Sequence, residues 1–286
     1  MLYILGWLKE LFITTRPINS FMTSIGVVFA YLVFTNYSLN CLQCIIIGFI
    51  TGYLGTASSM LINDYVDREV DAVNKPWKPI PSGRIDPRIV YYSSISMLII
   101  IPLINIFLGI APLVTALIYS VVGYIYSYLR KYWWSHFIVS ISTTGPIVYG
   151  YVLAGMPNNK LVFTILFSTT IFIITTGREI LKAVMDIVGD KKYGYVTIPI
   201  KYGVETARKT ILLASILGSS IGISAGILGG ASILYIILIT IAATLYTVWA
   251  YKSYKKINDK TILEKARKNM LYAMMIGLLA FWLSAL

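Results

Sequence analysis

Nine long apolar segments run through this 286-residue chain and restrict what it can fold into. Each is about 20 residues long, which is the length that an α-helix needs to cross the hydrocarbon core of a bilayer. Their Ile- and Leu-rich runs lack the alternation of a membrane β-barrel, so helices are expected. The predicted spans cover residues 18–35, 42–63, 89–109, 111–128, 135–155, 161–178, 210–229, 232–251 and 269–286.

The composition agrees with a place in the bilayer. Apolar side chains make up 57% of the chain, whereas a typical soluble protein has about 45–50%. Because the nine segments occupy most of the sequence, no separate soluble domain is expected. We therefore predict an all-α integral membrane protein with a single transmembrane domain over residues 1–286.

The charged residues are concentrated on one side of this predicted bundle. Of the 24 Lys and Arg residues, all except Lys160 fall in loops on the side of the N terminus, and so do all 12 Asp and Glu residues. The positive-inside rule places that side in the cytoplasm. Attraction to anionic lipid accounts for basic loops but not for acidic ones, so the acidic clusters indicate a functional site at the cytoplasmic face.

The first acidic cluster directly follows the second span. Asn63, Asp67 and Asp71 are four residues apart and share one face of a continuing helix, with Asp64 beside them. Like charges at this spacing repel, which favours a bound cation between them. Oxygen ligands suit Mg²⁺, which commonly joins carboxylates to substrate phosphates. Charge pairing with Lys and Arg in solvated loops is the alternative.

The second acidic cluster repeats this arrangement after the sixth span, where Asp186 and Asp190 are again four residues apart. Each cluster follows an apolar helix and precedes a basic loop, and spans one to four match spans five to eight. We therefore predict two pseudo-repeated halves around a central cavity, and the repetition favours metal binding over charge pairing. If the clusters face each other, they would hold two cations bridged by a diphosphate, as needed to ionise an allylic diphosphate.

These residues resemble the N-D-x-x-D-x-x-x-D and D-x-x-x-D signatures of the UbiA superfamily of intramembrane prenyltransferases. The segment 74–85 is similar to the N-x-P-x-R-P-I-P-S-G-R-I stretch of many members, with Lys78 in place of the frequent Arg. Arg178, Glu179 and Lys182 look most like the R-E-x-x-K of archaeal digeranylgeranylglyceryl phosphate synthases. The resemblance covers the whole chain, including the number of spans.

The resemblance implies Mg²⁺-dependent transfer of a geranylgeranyl group from geranylgeranyl diphosphate to the hydroxyl of geranylgeranylglyceryl phosphate, a step in archaeal ether-lipid synthesis. It implies that the metal ligands are Asn63, Asp64, Asp67, Asp71, Asp186 and Asp190, of which Asp67, Asp71, Asp186 and Asp190 are catalytic. The implied substrate-binding residues are Asn19, Lys75, Lys78, Arg84, Tyr126, Tyr128, Lys131, Arg178 and Lys182.

Several alternatives stay open at this point. Tyr126 and Tyr128 fit an interfacial aromatic belt as well as a role beside an allylic cation. Asn19 equally fits a polar residue at a helix start. The acceptor is alternatively an aromatic acid such as 4-hydroxybenzoate, which also carries an anionic group. A transporter is disfavoured because the central stretches of the spans hold no ionisable residue, and no nucleic-acid partner is expected.

Two further features receive no function. His136 stands alone at the start of the fifth span, where an interfacial or capping role is expected. Cys41 and Cys44 form a C-x-x-C without further cysteines to complete a metal site, so we expect them to be packing residues that face lipid.

Overall fold

The computed structural model describes residues 2–286, with the side chains of residues 2–5 and Asn74 outside the description. Within that range the regular structure is helical, as predicted. The α-helices are α1 (Leu2–Thr14), α2 (Pro17–Phe34), α3 (Leu42–Val66), α4 (Arg68–Asn74), α5 (Pro87–Asn105), α6 (Ile110–Leu129), α7 (Ser135–Leu153), α8 (Leu161–Met185), α9 (Ile187–Lys192), α10 (Ile198–Leu228), α11 (Ile233–Lys255) and α12 (Lys260–Trp282).

All nine predicted spans correspond to long helices, namely α2, α3, α5 to α8 and α10 to α12. Over residues 2–286, eight helices are long and apolar enough to cross a membrane. The remaining predicted span is α7, a 19-residue helix whose Ser and Thr residues, including Ser140, Thr143 and Thr144, reduce its mean hydropathy. The chain is a multi-pass membrane protein.

The chain divides into two compact units. The first comprises residues up to Phe29 and Leu39–Leu129. In it, α3 packs against α5 and α6, and the buried Asn105 amide donates to Thr51 Oγ1 at 2.8 Å. Gly52 lets α2 approach α3 closely, since a Cβ at this position would lie 2.9 Å from Ser24 Cα. These contacts hold the amino-terminal half of α3, while the burial of Leu61 with Val90 holds the carboxyl end that carries the first acidic cluster.

The second unit comprises Ala30–Ser38 and Arg130–Leu286. Helix α8 packs against α7, α10 and α12, and α11 packs against α10 and α12. One of its apolar clusters includes Leu181 and Ile180, both fully buried, together with Ile211 and Met270. This cluster fixes the carboxyl end of α8, which precedes the second acidic cluster.

The predicted repetition of the two halves is visible in the backbone. Helices α3 and α8 both have 25 residues, and each ends at an aspartate, Asp67 or Asp186, with φ/ψ of −80/3° and −99/6°. Short helices of 7 and 6 residues follow. Each repeat then reaches a proline, Pro79 or Pro199, with a glycine four residues later at positive φ, +73° for Gly83 and +86° for Gly203. Glycine alone adopts such φ values without steric cost.

The expectation for Cys41 and Cys44 is wrong. The two residues are joined by a disulfide at the start of α3, and the backbone N–H of Cys44 donates to Cys41 Sγ at 3.1 Å. They are therefore covalently paired to each other and do not act as separate packing side chains.

Candidate active site

The first acidic cluster keeps its four-residue register across a helix break. Helix α3 ends at Val66 and α4 begins at Arg68, so the predicted continuous helix is interrupted at Asp67. The N–H of Asp67 still donates to Asn63 O at 2.9 Å, and that of Asp71 to Asp67 O at 2.8 Å. Asp64, Asp67 and Asp71 are all buried, with 4–5% of their surface exposed.

Basic side chains neutralise part of this buried charge. Lys78 Nζ lies 2.9 Å from Asp64 Oδ1 and 2.5 Å from Asp71 Oδ2, so one ammonium group joins two carboxylates. Arg16 Nη2 lies 2.9 Å from Asp64 Oδ1. Arg16 is absent from the predicted site residues, and its only sequence signal is a basic residue just before the first span. Asp67 Oδ2 accepts from Asn63 Nδ2 at 3.1 Å.

The loop after α4 holds Lys78 in place. Ile80 and Ile85 in this loop are buried in a cluster with Leu61 and Val90. Arg84 is exposed. Its guanidinium donates to Trp77 O of the same loop at 2.7 Å and forms an ion pair with Glu10 of α1 at 3.2 Å. The contacts of Arg84 thus order the loop. Lys75, which was also predicted to bind substrate, is exposed, with Nζ 4.0 Å from Asp71 Oδ1.

Tyrosines of the first unit gather beside the first acidic cluster. The Tyr65 ring lies 4.9 Å from that of Tyr91, and the Tyr124 and Tyr128 rings are 6.3 Å apart. Ser94 connects these pairs, since its Oγ donates to Tyr91 O at 2.6 Å and lies 3.2 Å from Tyr124 Oη. Of the predicted Tyr126 and Tyr128, Tyr128 belongs to this group and is 45% exposed, while Tyr126 is half-buried on α6.

The second acidic cluster is more open than the first. Asp186 is exposed and Asp190 half-buried, and the N–H of Asp190 donates to Asp186 O at 2.9 Å. Burial raises the pKa of the Asp190 carboxyl to about 6; the negative charge of Asp186 adds to this shift and Arg130 opposes it. Arg130 is a second residue that the sequence reasoning did not select, although it precedes the predicted Lys131.

The loop between α6 and α7 pairs with the segment after α9. Val196 N–H donates to Lys131 O at 2.8 Å, and the Arg130 guanidinium lies 5.7 Å from the centre of the Tyr195 ring. The Lys131 side chain is exposed, with its ammonium 5.4 Å from the Tyr132 ring. Asn19 is also exposed; its N–H donates to Arg16 O at 2.9 Å in the first turn of α2.

A third polar group lies on α8, one to two turns before Asp186. Lys182 Nζ donates to both carboxylate oxygens of Glu179 at 2.6 and 2.7 Å. Arg178 Nη1 lies 3.9 Å from Glu179 Oε1, and both of these side chains are largely buried. The predicted Arg178 and Lys182 therefore share one buried carboxylate, and their group carries a net positive charge.

The carboxylate sets fit a hard divalent cation that is completed by other ligands. Over residues 2–286, no group of three or more His, Cys, Asp and Glu side chains is arranged to hold a metal by itself. Mg²⁺ is typically bound by one or two carboxylates plus waters and substrate phosphates, all through oxygen. The Asp67–Asp71 and Asp186–Asp190 sets offer oxygen donors of this kind, and the like charges of Asp186 and Asp190 lie close enough to repel.

The family model of the UbiA prenyltransferase family matches residues 21–276, nearly the whole chain. The chain belongs to this family. It is a prenyltransferase, and the transporter alternative is excluded.

Curated relatives from archaea are similar over almost their full length. The digeranylgeranylglyceryl phosphate synthase of Methanosphaera stadtmanae is 31% identical, with 95% of this chain and 97% of that protein covered. The enzyme of the same name from Methanocaldococcus jannaschii is 33% identical, with 95% and 94% covered.

Solved structures share the fold. A structure described as concerning digeranylgeranylglyceryl phosphate synthase in membranes matches with a TM-score of 0.82 and 29% identity, covering 97% of this chain and 98% of that one. A UbiA homologue from Archaeoglobus fulgidus bound to GPP and Mg²⁺ matches with a TM-score of 0.66 and 20% identity, covering 95% and 99%. The all-α UbiA fold predicted from the sequence is confirmed.

Proposed function

We propose that this prenyltransferase moves a geranylgeranyl group from geranylgeranyl diphosphate to the hydroxyl of geranylgeranylglyceryl phosphate, in an Mg²⁺-dependent reaction that builds archaeal ether lipid. The observation that carries the proposal is full-length similarity, at 31–33% identity, to relatives that bear the name of this synthase. The positive group of the largely buried Arg178 and the partly exposed Lys182 supports an acceptor with an anionic head.

The repeated aspartates are the proposed metal ligands. Asn63, Asp67 and Asp71 form one set and Asp186 and Asp190 the other. When bound, Mg²⁺ supplies Lewis acidity that neutralises the charge of the leaving diphosphate. Asp64 was predicted as a further ligand, but its contacts with Arg16 and Lys78 favour a different role, since both cations already compensate its charge. We assign Asp64 to the positioning of Lys78.

Other side chains are assigned to binding the diphosphate, the allylic cation and the acceptor. In the first unit, Lys78, held by Asp64 and Asp71, supplies positive charge beside the first acidic cluster, and in the second unit Arg130 does so near Asp190. The tyrosine group of Tyr65, Tyr91 and Tyr128 offers electron-rich ring faces to an allylic cation. Arg178 and Lys182 bind the anionic head of the acceptor, and apolar helix surfaces accommodate both isoprenoid chains.

A single assay tests the donor and acceptor assignment. The purified enzyme is incubated with labelled geranylgeranyl diphosphate, Mg²⁺, and either geranylgeranylglyceryl phosphate or 4-hydroxybenzoate, with EDTA as the metal control. We expect the ether product from the first acceptor and none from the second, and no product with EDTA. Turnover of only 4-hydroxybenzoate would overturn the proposed acceptor, and undiminished turnover in EDTA would overturn the metal.

We further propose that the N terminus and the acidic clusters lie on the cytoplasmic face. The distribution of Lys and Arg, with only Lys160 in the opposite loops, supports this orientation.

A further inference from the structure

His136 on α7 is a buried polar side chain that the proposed chemistry does not yet use. Only 7% of its surface is exposed, and its Nε2 has no hydrogen-bond partner among the described residues. A buried polar atom without a partner is unfavourable, because it has lost its hydrogen bonds to water and gained none. Native structures keep few such atoms, and an orphan therefore points to a ligand or a reaction.

The contacts between α7 and α8 place His136 beside the Arg178–Glu179–Lys182 group. Thr176 Oγ1 donates to Ser140 Oγ at 2.8 Å, so these two residues lie side by side and show the register of the two helices. The two helices are antiparallel neighbours. His136 lies one turn before Ser140, and Glu179 lies one turn after Thr176, so His136 and Glu179 are at the same level. The carboxylate of Glu179 favours a protonated imidazole at this position, and the ammonium of Lys182 opposes it.

A second orphan atom belongs to the same group. Arg178 Nε is buried and has no hydrogen-bond partner among the described residues, although Arg178 Nη1 lies near Glu179. Two buried polar atoms without a hydrogen-bond partner among the described residues therefore lie in one positively charged group in the second unit. The group matches a ligand that carries both an anion and a hydroxyl, which is the chemistry of a glycerol phosphate head.

We propose that His136 accepts the proton of the acceptor hydroxyl during prenyl transfer, with Glu179 as the group that stabilises the imidazolium. This inference rests on the proposed function. The C–O bond between the prenyl C1 and the diphosphate breaks, and its electron pair leaves with the diphosphate. A lone pair of the acceptor oxygen forms the new C–O bond to C1. The proton from that oxygen moves to Nε2 and passes to the diphosphate or to water after the ether has formed.

The experiment measures how the ionised donor is partitioned. With the full-length enzyme in detergent, geranylgeranyl diphosphate and Mg²⁺, the ether product, free geranylgeraniol and released diphosphate are quantified with and without geranylgeranylglyceryl phosphate. Removing the base should slow ether formation by about 100-fold. Diphosphate release without acceptor should stay within about twofold, because donor ionisation does not use the imidazole.

Two variants and a control separate this role from a structural one. His136→Ala removes the ring, and His136→Gln keeps a polar side chain of similar reach that does not take a proton at neutral pH. Ser140→Ala deletes the hydrogen bond to Thr176 in the same helix contact and leaves the imidazole intact. We expect both His136 variants to lose ether formation selectively, and Ser140→Ala to retain the wild-type ratio of ether to geranylgeraniol.

Two results would overturn the proposal. One is His136→Gln making ether at a rate within about threefold of wild type, since general-base catalysis normally contributes at least about 100-fold. The other is a proportional loss of ether formation and diphosphate release in both variants, which indicates a structural role. Failure of the proposed function is distinguishable from failure of this inference, because wild-type enzyme would then form no ether from geranylgeranylglyceryl phosphate.

Discussion

Lys78 carries the tightest set of charged contacts in the first unit, with Asp64 and Asp71 on either side of its ammonium group. Only 16% of the Lys78 side chain is exposed. Each of these charges depends on the others, because a buried charge without a partner is far more costly than a paired one. The residue thus couples the stability of the loop after α4 to the geometry of the acidic cluster.

We predict that Lys78→Met destabilises the protein by about 3 kcal/mol, as expected when one partner of a buried ion pair is removed. Thermal unfolding in detergent, followed by intrinsic fluorescence, measures the effect. Lys75→Met is the matched control, since Lys75 is 53% exposed and 4.0 Å from the same aspartate. Equal stability of the two variants would contradict the structural role of Lys78.

We predict that Asp67→Asn reduces prenyl transfer by at least about 100-fold, because loss of even an outer-shell partner of a metal typically costs 10- to 100-fold. The amide keeps the size of this buried side chain, so folding is retained. Glu69→Gln, in the same motif, is the control, as the Glu69 side chain is 87% exposed and pairs only weakly with Arg68 at 3.5 Å. Similar rates for both variants would remove Asp67 from the metal site.

The raised pKa of Asp190 predicts a pH-dependent stability difference. Since burial raises this pKa to about 6, the folded state binds the proton more tightly than the unfolded state. The favourable contribution is present at about pH 4 and is lost as the pH rises through 6. The Asp190→Asn variant has no group at this position that titrates. In metal-free buffer, its free energy of unfolding should therefore rise relative to that of wild type as the pH rises from about 4 to 6. A constant difference across that range, in thermal unfolding with EDTA, would contradict the shift.

At the scale of helices, the repeated unit of long helix, aspartate break and short helix accounts for the two acidic clusters. The backbone N–H of Asp71 and that of Asp190 each bond the carbonyl four residues earlier, across the break. The four-residue register therefore survives the interruption at Asp67 and Asp186. Helical periodicity predicted this register correctly from the sequence, while the breaks themselves have no Pro or Gly to signal them.

Close helix packing in the second unit gives a prediction at the same scale. A Cβ on Gly226 of α10 would lie 2.3 Å from Cε1 of Tyr235 on α11, and Tyr235 is fully buried, with its Oη donating to Gly222 O at 2.7 Å. We predict that Gly226→Ala destabilises the protein by about 1–3 kcal/mol through overpacking. Gly6→Ala is the control, since a Cβ there meets nothing within 4 Å. Equal melting temperatures would contradict this close contact.

At the scale of the whole molecule, the distribution of charge predicts the orientation in the membrane. Two variants test this orientation, Asp259→Cys and Asn158→Cys, each made in a Cys41→Ser/Cys44→Ser background. The new cysteines lie in loops on opposite predicted faces. A membrane-impermeant thiol reagent applied to right-side-out vesicles should label position 158 and leave position 259 unlabelled until the membrane is permeabilised. The reverse pattern would overturn the proposed cytoplasmic site.

The sequence alone determined the number and position of the long helices, the spacing of the acidic residues and the family. These depend on local properties, namely apolar length and helical periodicity, which a linear pattern records. The pairing of Lys78 with two aspartates, the contact of Arg16 with Asp64 and the burial of His136 beside Glu179 depend on segments far apart in the chain. These contacts are known only from the tertiary structure. Whether a charged group is paired, or a buried nitrogen lacks a partner, depends on which distant side chains the packing brings together.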